Sequence, residues 1–564
     1  MRRTHRDIEP DEIFLDASNL PAFDTDRFEG RIEQPIGRRS ILFLAAVFSV
    51  LGVLYMGKLF DLQIIEGRVM RERSENNRLA HTVIFADRGI ITDRRDRELA
   101  FNERDETEFP RRVYAPLSGL SHVLGYAKAP AKDSSGFYYQ EDYVGIAGAE
   151  KIFDEELKGK NGLKIIETNA QGEITSESVI EQPQKGKRLA LSLDGRLSEA
   201  LYAAIRERAE AVGFRGGSGL MMDISTGEII ALTNYPEYSS QLLSDGKKSG
   251  EIRRYLIDES KPFLNRATAG LFTPGSIVKP FLATAALSEK IIDPGTQILS
   301  TGALSLPNPY DPKKPTIFPD WKAHGLVDMR HALAVSSNVY FFEVGGGFGS
   351  QQGLGISNIE KYARLFGFGT TTGMRGFSEE GGIIPTPAWK AEHFPDDPWR
   401  IGDTYNTSIG QYGFQVTPLQ AVRAAGGLAS GILATPTVRK GEQGALISLP
   451  LTDAHLQVVR EGMRLGVLEG TARALSVPYV AIAAKTGTAE LDSAKRYVNS
   501  WVIGFFPYEK PRYAFALLLE HGPYKNLYGA PSVMTGVFDW MHLYAPWYLE
   551  GEDGPPLEGE GLEN

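Results

Sequence analysis

The sequence predicts an α+β protein with one apolar N-terminal helix, a β-rich region and a larger domain whose sheet is surrounded by helices. Three observations carry this. Residues 41–57 hold no charge, residues 58–215 mix short alternating runs with turn signals, and residues 216–548 begin and end in strand-like segments with helical stretches between them. Strands at both ends of one domain imply a sheet that joins its first and last segments.

Size and composition set the outer bounds. The 564 residues suffice for roughly three or four structural units. Hydrophobic residues at 42% and charged residues at 23% exclude a chain that is disordered or fibrous throughout. Lys and Arg number 61 against 71 Asp and Glu, a net charge of −10, and no long basic run offers a footprint for phosphate backbones, so nucleic acid is not expected as a partner. Cysteine is absent, which excludes disulfides, thiolate zinc sites, iron–sulfur clusters and a cysteine nucleophile and leaves the redox compartment unreadable.

Residues 1–40 are polar, rich in Arg, Asp and Glu, and read as a tail. From Ile41 to Gly57 the run ILFLAAVFSVLGVLYMG would span ~26 Å as a helix, just enough to cross a bilayer. A buried core helix would show a polar face and a signal peptide a small-residue cleavage site. Neither is present, so an uncleaved anchor is expected. Arg27, Arg31, Arg38 and Arg39 precede the run while Lys58, Arg68, Arg71 and Arg73 follow it, nearly a tie under the positive-inside rule.

In residues 58–215, HTVIFA (81–86) and RLALSLD (188–194) read as strands, and residues 197–212 carry apolar side chains at helical spacing. Gly213, Gly216 and Gly217 mark the next boundary. LMMDIS and EIIALTN flank Thr226 and Gly227 as a hairpin, and strands return at 479–486, 499–506 and 512–519. From Glu550 to Asn564 six acidic residues accompany Gly and a Pro pair, so residues 549–564 are expected to form an unpacked tail.

Three short motifs carry chemistry. FTPGSIVKPFLATAAL (272–287) sets Ser276 and Lys279 three apart at a helix start, where the amine can face the hydroxyl. Lysine acts as a base there only if desolvation or a neighbouring cation strips its proton near neutral pH. A second such pair, Ser244 and Lys247 in SDGKKSG, reads as a solvated loop. AVSSNVYFF (334–342) offers Ser336 and Asn338, either a proton-relaying hydroxyl and a peptide-binding amide or simply helix caps. VPYVAIAAKTGTAE (477–490) ends in Lys485, Thr486, Gly487 and Thr488, which read as positive charge, carboxylate-binding hydroxyls and a Cβ-free approach for substrate, or as a strand end and turn. His324 and His331 near Asp320 and Asp328 are not expected to bind metal, and GGGFGS (345–350) is read as a loop.

The ordered set SxxK, SxN, KTG is a signature shared by penicillin-binding proteins and class A β-lactamases. NRATAGLFTPGSIVKP (265–280), MMDISTGEIIALTNYPEY (221–238), KTGTAE (485–490), RGIITDR (88–94), HVLGY (122–126) and GIAGAEKIFDEEL (145–157) each resemble blocks of class B penicillin-binding proteins, the monofunctional peptidoglycan D,D-transpeptidases. DWKAHG (320–325), FGFGTTTG (366–373), PTPAWK (385–390) and GDTYNTSIGQ (402–411) are similar to the elongation-type branch, although GQYG at 410–413 departs from the usual GQGY. Only 21 residues separate Ala100 from His122, where the family commonly carries a whole subdomain.

The resemblance implies a cytoplasmic tail (1–40), a transmembrane anchor (41–57), a pedestal of dimerisation type with a shortened head insertion (58–215), a penicilloyl-serine transferase domain with an antiparallel sheet flanked by helices (216–548), and the acidic tail. It implies Ser276 as nucleophile on the penultimate D-alanine carbonyl of a stem peptide and Lys279 as general base. Ser336 and Lys485 would carry the proton to the leaving amine, Asn338 would hold the substrate amide, and Thr486 with Thr488 would bind the terminal carboxylate. No cofactor or metal is implied. Expected partners are peptidoglycan stem peptides, β-lactams as inhibitors, a SEDS-type membrane glycosyltransferase and elongation-complex proteins. Because the reaction occurs outside the cytoplasmic membrane, it implies a single-pass chain with the N-terminus inside. A division-specific transpeptidase, a D,D-carboxypeptidase or β-lactamase on the same fold, and a non-catalytic β-lactam receptor are the alternatives.

Overall fold

The uncharged run folds as helix α1, Arg38–Phe60, because nothing in it breaks an α-helix and Gly37 precedes it as cap. It is longer than residues 41–57: flanking polar residues continue the helix, and Lys58 pairs with Asp61 at 2.9 Å. A single π-type turn, Asp61–Ile65, extends it. This is the one helix among the described residues long and apolar enough to cross a membrane, and none of it is buried within the protein.

The computed structural model describes residues 37–68, 78–104, 108–168, 173–308, 311, 313–492, 494–526, 528–552 and 554. Most of the two expected tails therefore lies outside the described residues. The chain divides into two compact units, one ending at Thr82 and including Ile165–Ser178, the other made of Val83–Lys164 and Val179–Asn564. Strands Arg78–Ile84, Gly162–Thr168 and Ile174–Glu181 form a three-stranded sheet with Gly162–Thr168 in the middle.

In the second unit, Leu189–Ala190, Ile91–Thr92, Glu98–Glu103 and Arg111–Tyr114 pair in that order. Beside them Glu150 is fully buried between two arginines, Arg88 Nε at 2.6 Å and Arg112 Nε at 2.8 Å, which neutralises its desolvation.

Asp194 caps helix α2, Gly195–Val212, by accepting from the amides of Arg196 and Leu197, and Gly213 ends it in the left-handed conformation. Then come strand β1 (Gly216–Asp223), strand β2 (Ile229–Tyr235), helix α3 (Lys279–Ser288), helix α4 (Met329–Val335), helix α5 (Asn338–Gly346), helix α6 (Pro418–Ser430) and helix α7 (Asp453–Leu468). Strands β3 (Ala483–Glu490), β4 (Tyr497–Phe506) and β5 (Tyr513–Pro523) and helix α8 (Ala530–Tyr544) close the domain. The sheet is antiparallel throughout, in the order β2-β1-β5-β4-β3, so the first and last strands do share one sheet and β3 is an edge strand.

Strand alternation makes two cores. Leu220, Met222, Ala514, Ala516, Leu518 and Trp501 face the layer containing α3 to α7, while Met221, Phe515, Leu517, Leu519 and Val502 face α2 and α8.

Two expected boundaries shift. The first C-terminal strand is 483–490, not 479–486, because pairing with β4 begins at Ala483 opposite Phe505 and runs through the KTG residues to Glu490 opposite Val498. Residues 549–552 are packed, not loose. The helical turn Trp547–Glu550 is followed by Gly551, whose carbonyl accepts from Arg512 at 2.6 Å, and Glu552, whose carbonyl accepts from the Tyr513 hydroxyl at 2.8 Å.

Candidate active site

Ser276 sits in a single 3-10 turn, Gly275–Val278, that feeds directly into α3, and Lys279 is the first residue of that helix. Ser276 and Lys279 are three residues apart across this junction, a spacing that puts them on one face. Gly275 has φ +58°, and a Cβ there would lie 2.8 Å from the Thr488 carbonyl oxygen, so the turn rests against β3 through a contact that only glycine allows. Two further bonds hold it: the Gly275 amide donates to Gly410 O at 3.0 Å and Trp501 Nε1 donates to Thr273 O at 3.0 Å.

The SxN residues occupy the junction between α4 and α5. Ser336 ends α4 with φ +58°. The residue between them, Ser337, is the cap: its hydroxyl accepts from Tyr340 N at the start of α5. The cap reading and the chemical reading of this motif are thus divided between neighbouring residues, and capping leaves Ser336 and Asn338 turned toward Lys279. Lys279 Nζ donates to Ser336 O at 2.8 Å, Asn338 Oδ1 at 2.7 Å and Ser336 Oγ at 3.3 Å. From β3, Lys485 Nζ donates to Ser336 Oγ at 2.8 Å and to Thr486 O at 2.8 Å. Ser336 Oγ therefore bridges two lysines.

Both amines are buried. Burial pulls the Lys279 amine down to about 7, against the opposing pull of the Asp320 carboxylate. Lys485 is driven well below the ordinary lysine value by burial and then by the charge of Lys279. Two cations sharing one serine hydroxyl in a dry site favour loss of a proton from one of them, the condition for a lysine base.

Asp320 was not singled out for this site by its sequence position, yet it anchors the SxN turn. Its Oδ2 accepts from Ser337 Oγ at 2.8 Å, Val339 N at 3.0 Å and Ser300 Oγ at 3.2 Å, and its side chain is fully buried. These bonds hold the carboxyl below the usual range despite burial. His324 lies 3.7 Å from the other carboxylate oxygen, and His331 binds Asp328 at 2.9 Å. Among the described residues no group of three or more His, Asp or Glu side chains is arranged to hold a metal.

A Cβ at Gly487 would meet the Pro274 carbonyl oxygen at 2.8 Å and the Ile277 side chain at 2.9 Å, so this glycine lets the Ser276 turn pack closely against β3. Thr486 and Thr488 lie on the other face of β3 by strand alternation, with Thr486 Oγ1 donating to Thr471 at 2.7 Å. The second SxxK pair is apart from all of this: Ser244 belongs to the helix Ser240–Asp245, not a loop, and donates to Ala127 O at 2.7 Å.

Ser276, Ser336, Asn338, Thr486, Gly487 and Thr488 line one open cleft of about 770 Å³, and the buried Lys279 and Lys485 reach it through their bonds to Ser336 and Asn338. A serine hydroxyl at a helix start, a buried low-pKa lysine, a second hydroxyl bridging two lysines and an edge strand are the parts that acyl transfer from an extended peptide requires.

Comparison with known proteins places the geometry in a family. Residues 217–538 match the penicillin binding protein transpeptidase domain and residues 106–191 the penicillin-binding protein dimerisation domain. The chain is 31% identical over 473 residues to peptidoglycan D,D-transpeptidase MrdA of Acinetobacter baumannii, spanning 78% of this chain and 67% of that protein. Penicillin-binding protein PBP2 of Helicobacter pylori, solved in complex with MreC, superposes with TM-score 0.68 at 27% identity, covering 83% of this chain and all of that one. A structure titled for the coordination of polymerization and crosslinking by a peptidoglycan synthase complex gives TM-score 0.69 at 26% identity over 93% of this chain. With a family domain that includes all five strands of the sheet but for Gly216 and holds every residue of the cleft, the chain belongs to the penicillin-binding protein transpeptidases.

Proposed function

We propose that the chain is a peptidoglycan D,D-transpeptidase of the cell-elongation type, working through a serine acyl-enzyme. The observation that carries the reading is the convergence of Ser276, Lys279, Ser336, Asn338 and Lys485 on one cleft, with the Lys279 amine buried at about 7. Lys279 takes the Ser276 hydroxyl proton as Oγ attacks the penultimate D-alanine carbonyl. The backbone amides of Ser276 and Thr488 receive the oxyanion, a contribution of ~3 kcal/mol per donor in such sites. Ser336, bridging the two lysines, passes a proton to the departing nitrogen; the C–N bond breaks, and the terminal D-alanine leaves. An amine of a neighbouring stem then attacks the ester carbon, loses a proton to the lysine pair and frees Ser276. Asn338 holds the substrate amide while Thr486 and Thr488 take the terminal carboxylate.

β-Lactams acylate the same serine. α1 is the anchor of a single-pass cytoplasmic-membrane protein, with residues 1–40 inside and the catalytic domain outside. The MreC complex of one neighbour and the polymerization-and-crosslinking synthase complex of the other support partners of the MreC kind and a peptidoglycan-polymerizing enzyme, for which a SEDS-type glycosyltransferase is our candidate.

Intact-mass spectrometry with a fluorescent penicillin tests the reading. One stable adduct is expected on the wild-type protein and none on a folded Ser276→Ala variant; an unchanged adduct in that variant refutes it. Rapid release of the adduct by water, without transfer to an added amine, would favour a carboxypeptidase or β-lactamase instead.

A further inference from the structure

The cleft continues past the three motifs. Glu490 and Lys495 line it together with Ser276 and Thr488, as do Tyr524 and Asn526. Glu490 is the last residue of β3, two beyond Thr488 and on the same face by alternation, about 6.6 Å further along the strand. Lys495 Nζ donates to Glu490 Oε1 at 2.8 Å. Its backbone is held at φ +52°, with its amide donating to Asp492 O at 3.0 Å.

Strand pairing fixes what passes over this pair. Among the described residues β3 pairs with β4 alone, and its residues Thr486 to Thr488 and Glu490 line the cleft, where an extended peptide can add to its other edge. If the terminal carboxylate lies at Thr486 and Thr488 and the scissile carbonyl at Ser276, the peptide runs away from that carboxylate toward Glu490. At about 3.3 Å per residue, the residue before the two D-alanines falls beside Glu490. Each stem must carry an amine able to accept a cross-link, so a donor stem also brings a diamino residue into the cleft.

We propose that Glu490 and Lys495 form a charge-paired subsite for the donor-stem residue that precedes the D-alanines, selecting a side chain that ends in both an ammonium and a carboxylate. This rests on the transpeptidase reading. A zwitterionic side-chain end can exchange partners with the pair, ammonium to Glu490 and carboxylate to Lys495, leaving no charge unpaired. A lysine side chain would satisfy Glu490 and strand Lys495 beside a second cation, and an alanine would engage neither. The resident ion pair is easily opened, since its side chains are 36% and 47% exposed and surface pairs contribute little. The neighbouring Arg496 is engaged by Asp492 at 2.9 Å and does not compete for the carboxylate.

Three synthetic pentapeptides ending in D-Ala-D-Ala, with meso-diaminopimelate, L-lysine or L-alanine at the third position, are used to slow fluorescent-penicillin acylation of the full-length protein in detergent. Protection is measured relative to each protein's own uninhibited rate. The wild type is expected to bind the diaminopimelate peptide roughly tenfold more tightly than the other two, the worth of one charge-assisted hydrogen bond. Glu490→Gln and Lys495→Met should each remove that preference. Equal protection by all three peptides in the wild type, no protection by any, or an undiminished preference in both variants overturns the subsite. Failure of the transpeptidase reading is distinct: penicillin would then not acylate Ser276 at all.

Discussion

Lys279 is a base only when neutral, and burial has moved that condition into the physiological range. Acylation by penicillin is therefore expected to rise with pH through about 7, roughly tenfold between pH 6 and pH 8. A stopped-flow pH profile checks this; a flat profile across that range contradicts the base assignment. Asp320 raises the Lys279 value by its charge and holds the SxN turn by its hydrogen bonds. Asp320→Asn should slow acylation about tenfold and shift the rising limb to lower pH, because the neutral amide no longer favours the ammonium. A slowed rate with an unmoved limb would leave Asp320 a purely structural role. The motif residues were legible in the sequence because the chemistry demands those residue types. Asp320 was not, since its bond to Ser337 spans 17 positions that only the fold brings together. Glu150 was hidden likewise: three charged side chains fully buried in one network leave no trace in hydropathy.

At the scale of elements, β3 and the 3-10 turn act as one unit. Gly487→Ala would push a methyl against the Pro274 carbonyl oxygen and the Ile277 side chain. The expected result is a loss of about 1–3 kcal/mol in urea unfolding together with at least tenfold slower acylation. An unfolding curve unchanged from wild type would show that the turn yields without cost. The start of β3 was misread in the sequence because VPYVAIAA is apolar enough to suggest a strand, whereas backbone pairing with β4 begins only at Ala483. Its polar end was open to two readings, a substrate-binding segment or a strand end and turn, because a solitary sequence cannot tell a strand that stops from an edge strand that faces a cleft. The hairpin β1–β2 and α2 were readable because alternation, helical spacing and glycine punctuation all agree there.

For the whole molecule, α1 is unburied and the catalytic unit carries its own two cores. A chain beginning at residue 60 should stay in solution after ultracentrifugation and still acylate within about threefold of the full-length rate, since the unit that holds the cleft carries both cores. Acylation that vanishes in a folded fragment would mean that the site depends on the removed segment.

The floor of the cleft is fixed by three backbone approaches: Gly275 on Thr488, Gly487 on Pro274 and Gly410 on Gly275, where any Cβ would come within 2.8 Å of a carbonyl oxygen. Such a floor has no slack for a side chain at any of the three positions, so variation in what the cleft accepts is expected at its rim, at side chains such as Trp321, Tyr524 and Asn526.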